Sequence, residues 1–205
     1  MLEYADPQPL LRNEYRNLGV LLRAATEEFP NQEAYVFEDK RLTYSGWYDA
    51  AMHLGAELVR RGFKPGQVGL IHFDTSIEYA VAFAAIQAAG GIASGVNSRL
   101  GRREVSAIIE RAAPAVLFAE DDQQVAVEEA IIIRRRDLAA AMRGPSLDKP
   151  VDRALHDIAT IIWTSGTTGL PKGAAMDHAN LRAAVTTSGP LAAPFARKLN
   201  STPFA

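Results

Sequence analysis

The chain has 205 residues, 48% hydrophobic and 22% charged, which leaves ample apolar material for a buried core. A formal net charge of −2 gives no global basic field, so nucleic acid and anionic membrane surfaces are not recommended as partners. With no cysteine there are no disulfides and no Cys-ligated zinc, and a reducing, cytoplasmic setting is expected.

Met1–Leu11 is acidic and contains proline, without the basic and apolar regions of a signal peptide, and residues 1–12 are expected to form a terminal arm. Leu18, Leu21, Leu22 and Ala25 recur at helical spacing, and Pro30-Asn31 stops them. Ala34–Phe37 and Arg41–Tyr44 read as short strands around a turn at Glu38-Asp39-Lys40. Ser45 is the expected N-cap of a helix to about Arg61, with Trp47, Ala51, Leu54 and Leu58 on one face.

Val68–Phe73 is a nearly continuous apolar run, as for a strand covered on both faces. Thr75 or Ser76 caps the next helix, to about Ala89. The stretch from Ala80 to Val96 is too short, too rich in Ala and Gly, and too broken by Gly90-Gly91 for a membrane span. It reads as a buried helix followed by a strand, Ile92–Val96. Arg102–Ala112 is a helix, Ala115–Ala119 a strand, and Ala130–Ile133 another. His53 and His72 each stand alone and read as structural histidines rather than metal ligands. Arg134, Arg135 and Arg136, flanked by acids, read as a solvated strand end, with Asp137 capping a short helix to Arg143. Gly144–Pro150 is a linker. Strand–helix alternation of this kind predicts an α/β fold with largely parallel strands flanked by helices.

The most informative stretch is Ile161–Gly173, IIWTSGTTGLPKG. Ile161, Ile162 and Trp163 have the composition of a buried strand. Thr164, Ser165, Thr167 and Thr168 alternate with Gly166 and Gly169, then Pro171, Lys172 and Gly173 close the run. Glycines let successive N–H groups converge on an anion, hydroxyls add rotatable donors, and a lysine adds a point charge that suits phosphate. A Walker loop would end Gly-Lys-Ser/Thr and open into a helix, whereas Ala174–Met176 read as another strand. A flexible linker would share the composition but has no need of an apolar lead-in strand or a Pro-Lys-Gly exit. With two glycines and no helix to anchor it, Gly166–Lys172 is expected to move when no ligand is bound.

TSGTTGLPKG closely resembles the phosphate-binding signature of the adenylate-forming superfamily, which includes acyl-CoA synthetases, peptide-synthetase adenylation domains and luciferases. Asp177-His178-Ala179-Asn180-Leu181 resembles the H-x-N-L that opens the following helix there. The resemblance runs from about Leu18 to about Ser188, so residues 13–188 are expected to form a partial amino-terminal AMP-binding domain. Residues 189–205 are then an irregular tail.

The resemblance implies that Thr164, Ser165, Thr167, Thr168 and Lys172 grip the β- and γ-phosphates of ATP. Gly166, Gly169 and Gly173 would permit the close approach, and Thr164 would touch Mg2+. Asn97-Ser98-Arg99-Leu100 resembles the N-x-R-L of acyl-CoA synthetases, although a turn capped by Asn97 explains those residues equally well. The implied activity is activation of a carboxylic acid with ATP and transfer to CoA, with no catalytic side chain assigned here. Family motifs for the magnesium glutamate, the ribose aspartate, the hinge and the adenylation lysine of a small C-terminal domain are not found. The 205-residue chain alone is therefore expected to be inactive in adenylation. Two alternatives remain: a non-catalytic nucleotide-binding or interaction scaffold, and an adenylation domain that loads a carrier protein.

Overall fold

The computed structural model describes residues 16–123, 127, 129–164 and 169–184. The expected arm (1–12), the tail (189–205) and the loop residues 165–168 lie outside that set. Helix α1 (Leu18–Glu28) starts at Asn17, whose side chain accepts from the Val20 N–H at 3.1 Å. Strands β1 (Glu33–Phe37) and β2 (Lys40–Thr43) form an antiparallel hairpin turning at Glu38, where φ is +53°.

Helix α2 (Tyr44–Arg60) corrects the expected cap. Thr43, not Ser45, keeps extended backbone and accepts from the Gly46 N–H at 3.1 Å, while Ser45 Oγ lies 3.1 Å from Thr43 Oγ1. Strand β3 (Val68–His72) leads to α3 (Ile77–Ala88), capped by Ser76, and then β4 (Ile92–Gly95). The run from Ala80 to Val96 is thus helix and strand, and no described helix is long and apolar enough to cross a membrane. Helix α4 (Arg102–Ala112) and strands β5 (Val116–Ala119) and β6 (Ile131–Arg134) follow. After a 3-10 turn, Arg135–Asp137, comes α5 (Leu138–Ala141). Strands β7 (Ile158–Thr164) and β8 (Lys172–Asp177) end in helix α6, residues 178–184.

The six strands β3 to β8 pair in the order β6-β5-β3-β4-β7-β8, all parallel except the β7–β8 pair. Alternation along β3 splits the core in two, because successive side chains leave a strand on opposite faces. Ile71 joins Leu54, Leu58, Ile86, Phe118 and Ile133 on the face covered by α2, α3 and α5. Leu70 joins Val105, Ile108 and Leu117 beneath α4.

Three further expectations change. Strand β7 is not buried throughout: Ile158 is 41% and Ile162 49% exposed, because β7 lies beside the edge strand and no described element covers those side chains. The arginine run is not simply a solvated end. Parallel pairing of β5 with β6 brings Arg135 to Glu120, and its guanidinium makes two hydrogen bonds there, at 2.6 and 2.5 Å. Asp137 makes no side-chain cap bond and ends the 3-10 turn instead.

Candidate functional site

The glycine- and hydroxyl-rich loop joins β7 to β8, two antiparallel strands whose last aligned pair is Thr164 with Lys172. Thr164 Oγ1 donates to the Lys172 carbonyl at 3.3 Å and so bridges the neck of the loop. Of the expected phosphate-binding residues, the structure brings Thr164, Lys172 and Gly173 together here and places Gly169 just before them. Ser165, Gly166, Thr167 and Thr168 lie outside the described residues. Gly169 has φ of +86°, a left-handed conformation that disfavours side chains, and no described residue lies within 4 Å of where its Cβ would be.

Gly173 has a packing reason for being glycine. It pairs with Trp163, and a Cβ there would come within 2.9 Å of Ile161 Cγ2 and 3.1 Å of the Trp163 ring. Trp163 is itself anchored: its Nε1 donates to Ser94 Oγ at 2.8 Å. Ser94, fully buried in β4, donates in turn to the Ile161 carbonyl at 2.9 Å. On the other side of Lys172, Arg111 in the last turn of α4 donates through Nη1 to the carbonyl of buried Pro171 at 2.5 Å. Lys172 is exposed and its ammonium has no ion-pair partner among the described residues.

An open cleft of about 770 Å3 lies at the carboxyl ends of β3 and β4, bounded by Phe73, Asp74, Thr75, Val96, Asn97 and Arg99. Since β4 and β7 run parallel, with Gly95 opposite Ile162, the cleft and the loop open on the same edge of the sheet. Ligands of open α/β sheets bind at this edge. Asn97 uses its side chain within the chain, its Oδ1 accepting from the Arg99 N–H at 3.0 Å. The turn-capping reading of Asn97-Ser98-Arg99-Leu100 is therefore realised. One wall of the cleft is held from outside: Glu120 accepts from the Asp74 N–H at 3.1 Å while gripped by Arg135. The Arg135 hydrogen bonds hold the Glu120 carboxyl below its usual pKa against an opposing effect of burial.

The described residues do not by themselves make a magnesium site. Thr164 offers one hydroxyl, and among the described residues no group of three or more His, Asp or Glu side chains could hold a metal. His53 Nδ1 lies 2.7 Å from the Gly144 carbonyl, and His72, 6% exposed, has no hydrogen-bond partner on either nitrogen among the described residues.

At the far end of β8, Asp177 and Asn180 cap α6 reciprocally. The Asn180 N–H donates to Asp177 Oδ1 at 2.7 Å, and the Asp177 N–H to Asn180 Oδ1 at 3.2 Å. His178, 2% exposed, accepts through Nδ1 from the Leu18 N–H at 3.4 Å and so ties α1 to the β8–α6 junction. Burial, and secondly the positive charge of Arg153, push the His178 pKa down. Arg111 and Ser94, which brace the loop, were not singled out in the sequence. Their partners are a main-chain carbonyl and an indole far along the chain.

The fold and the loop together define an α/β nucleotide-binding domain of the adenylate-forming type. The family described as AMP-binding enzyme matches residues 22–203, and the chain belongs to it. It is 27% identical to bacitracin synthase 3 of Bacillus licheniformis, covering 81% of this chain and 3% of that protein. It is 29% identical to 4-hydroxybutyrate–CoA ligase 2 of Metallosphaera sedula, covering 78% of this chain and 34% of that one. Among solved structures, the inhibitor-bound N-terminal domain of FACL13 from Mycobacterium tuberculosis matches with a TM-score of 0.71 at 28% identity, over 80% of this chain and 44% of that one. The chain thus spans less than half of each. Both peptide synthases and a CoA ligase stand among its relatives, and its fold matches the amino-terminal part of adenylate-forming enzymes.

Proposed function

We propose that this chain supplies the polyphosphate-gripping part of an ATP-dependent enzyme that activates a carboxylic acid. In the first step a carboxylate oxygen attacks the α-phosphorus of ATP, the bond to pyrophosphate breaks, and an acyl-adenylate forms. In the second the thiol sulfur of CoA attacks the acyl carbon and AMP leaves with the bonding electrons. The substrate carboxylate is itself the nucleophile, so this part of the chain needs no general base. Its task is to bind and orient the leaving pyrophosphate, whose charge grows in the transition state, with donors fixed in advance. Lys172 and Thr164 at the neck of the loop fill that role, with Gly169 and Gly173 beside them. Ser165, Gly166, Thr167 and Thr168 join them on the strength of the sequence.

The observation that carries this reading is Lys172. An exposed ammonium without an ion-pair partner among the described residues sits where a glycine- and hydroxyl-rich loop re-enters the sheet. CoA as acceptor rests on the resemblance of residues 97–100 and on the CoA-ligase relative. A carrier protein as acceptor is favoured by the peptide-synthase relative.

Calorimetry of the wild-type chain and Lys172→Met with ATP and with AMP tests the reading. Loss of one charge-assisted hydrogen bond costs about 1.5–3 kcal/mol, or roughly 10- to 150-fold in affinity, for ATP alone. Raising the salt should narrow the gap, since the site is open to solvent. Equal losses for the two nucleotides would mean that Lys172 acts through folding or general charge, and the polyphosphate role would be abandoned.

A further inference from the structure

Lys172 stands between two braces that come from different parts of the fold. The carbonyl of Pro171, whose carbon is bonded to the Lys172 nitrogen, is held by Arg111 Nη1. On the other side, Gly173 lies against the Trp163 ring, and the indole N–H of that ring is fixed by fully buried Ser94. Thr164 Oγ1 holds the Lys172 carbonyl itself at 3.3 Å. The backbone on both sides of the lysine is therefore fixed by side chains of α4, β4 and β7, although the ammonium makes no ion pair with a described residue. An exposed lysine without such bracing would lose more freedom on meeting an anion, and that cost comes out of the affinity.

Arg111 is the less expected brace. It is exposed and belongs to the last turn of α4, where a cation also complements the helix dipole. An exposed arginine could be left to solvent; this one donates to a loop carbonyl 60 residues away. We propose that Arg111 is a positioning residue for Lys172, fixing the backbone from which the lysine reaches the polyphosphate. The Trp163–Ser94 pair serves as the second brace. This rests on the polyphosphate reading of the loop and adds to it the device that sets the aim of Lys172.

The test is a double-mutant cycle on the full chain, read by calorimetry with ATP, AMP and inorganic tripolyphosphate. The forms are wild type, Arg111→Ala, Arg111→Lys, Lys172→Met and the Arg111→Ala/Lys172→Met double variant. Losing one ordinary hydrogen bond corresponds to roughly a 2- to 10-fold change. Arg111→Ala should weaken ATP and tripolyphosphate by about that factor and leave AMP alone. Arg111→Lys, which keeps the charge and a donor, should recover part of it. In the Lys172→Met background the Arg111→Ala loss should vanish, because there is no ammonium left to aim.

A loss that persists in full in the double variant would show Arg111 acting by general charge and overturn the proposal. So would an AMP loss as large as the ATP loss. If Lys172→Met shows its ATP-selective loss and Arg111→Ala shows none, only the positioning role falls. If the wild-type chain binds neither ATP nor tripolyphosphate, the anion reading falls and takes this one with it. A ligand-free check is the carbonyl 13C shift of Pro171, which should move in Arg111→Ala; an unmoved shift means the bond is not made, and overturns the role.

Discussion

The two sides of β4 are built differently. Towards β3, β5 and β6 every neighbour is parallel, and the residues of β3 and β5 that meet the helices on either face are buried. That side is also cross-tied at its carboxyl edge. Arg135 bonds Glu120 twice, meets Ser76 and Glu78 at 3.2 Å, and lies 4.5 Å from the centre of the Phe73 ring. Towards β7 and β8 the sheet ends in an antiparallel pair with two half-exposed isoleucines, and the phosphate-type loop hangs from it. Depth of burial and the glycine- and hydroxyl-rich loop lie on opposite sides of one strand. The loop side is held by a few specific bonds, those of Arg111, Ser94 and Thr164, rather than by depth of burial.

Core truncation should expose this contrast most strongly. Phe118 is fully buried and packs edge-on against Phe73, with ring centres 6.0 Å apart, so Phe118→Ala should cost about 3–5 kcal/mol. Ile162→Ala, at a side chain 49% exposed, should cost about 1 kcal/mol or less. Urea unfolding of both variants gives the two numbers, and equal losses would erase the distinction between the sides.

The cross-tie is a smaller effect. Arg135→Met leaves Glu120 without its main partner and should destabilise by about 1.5–3 kcal/mol, since hydrogen bonds to charged groups fall in that range. Added salt should do little to wild type at this pair, which is only about a quarter exposed on the arginine side. A loss under a few tenths of a kcal/mol would mean that packing alone holds the cleft wall.

Smallest and most diagnostic is the pH dependence. Burial depresses the pKa of both His72 and His178 below the ordinary histidine value. The fold therefore favours the neutral ring. Its contribution is whole above about pH 6.5, the ordinary value, and drains away as pH falls through that value towards each lower folded pKa. Thermal melts at pH 7.5 and 5.5 should show lower stability at 5.5, and His178→Gln should flatten part of the difference. A melt temperature that rises on acidification would contradict the burial of these rings.

Much of this was legible because its signal is local. The apolar spacing in Arg102–Ala112 and the unbroken run at Val68 translate directly into a helix and a strand, and the loop announces itself in ten consecutive residues. What escaped was long-range. Ser45 and Thr43 are both good caps, and only the end of β2 decides between them. Arg135 looked solvated because its partner Glu120 is 15 residues away and becomes a neighbour only through strand pairing. Ile162 looked buried because composition does not record how near a strand lies to the edge of its sheet. Arg111 gave no sign at all, because a main-chain carbonyl as partner leaves no mark on the sequence.

The placement of β7 next to β4 also sets an order of events at the ribosome. Strand β4 is complete at Gly95, yet its second neighbour begins only at Ile158. At roughly 5–20 residues per second, the flank of β4 waits several seconds during synthesis with its backbone N–H and C=O groups unclaimed. The bond from Leu18 to His178 closes later still, across 160 residues. An apolar strand with an open flank is a template for wrong pairing, within one nascent chain or between two. Polypeptides cut short before Ile158 should therefore clump while those ending after Asp177 remain dispersed, which makes the late hairpin a guard for the early strands as well as the carrier of the loop.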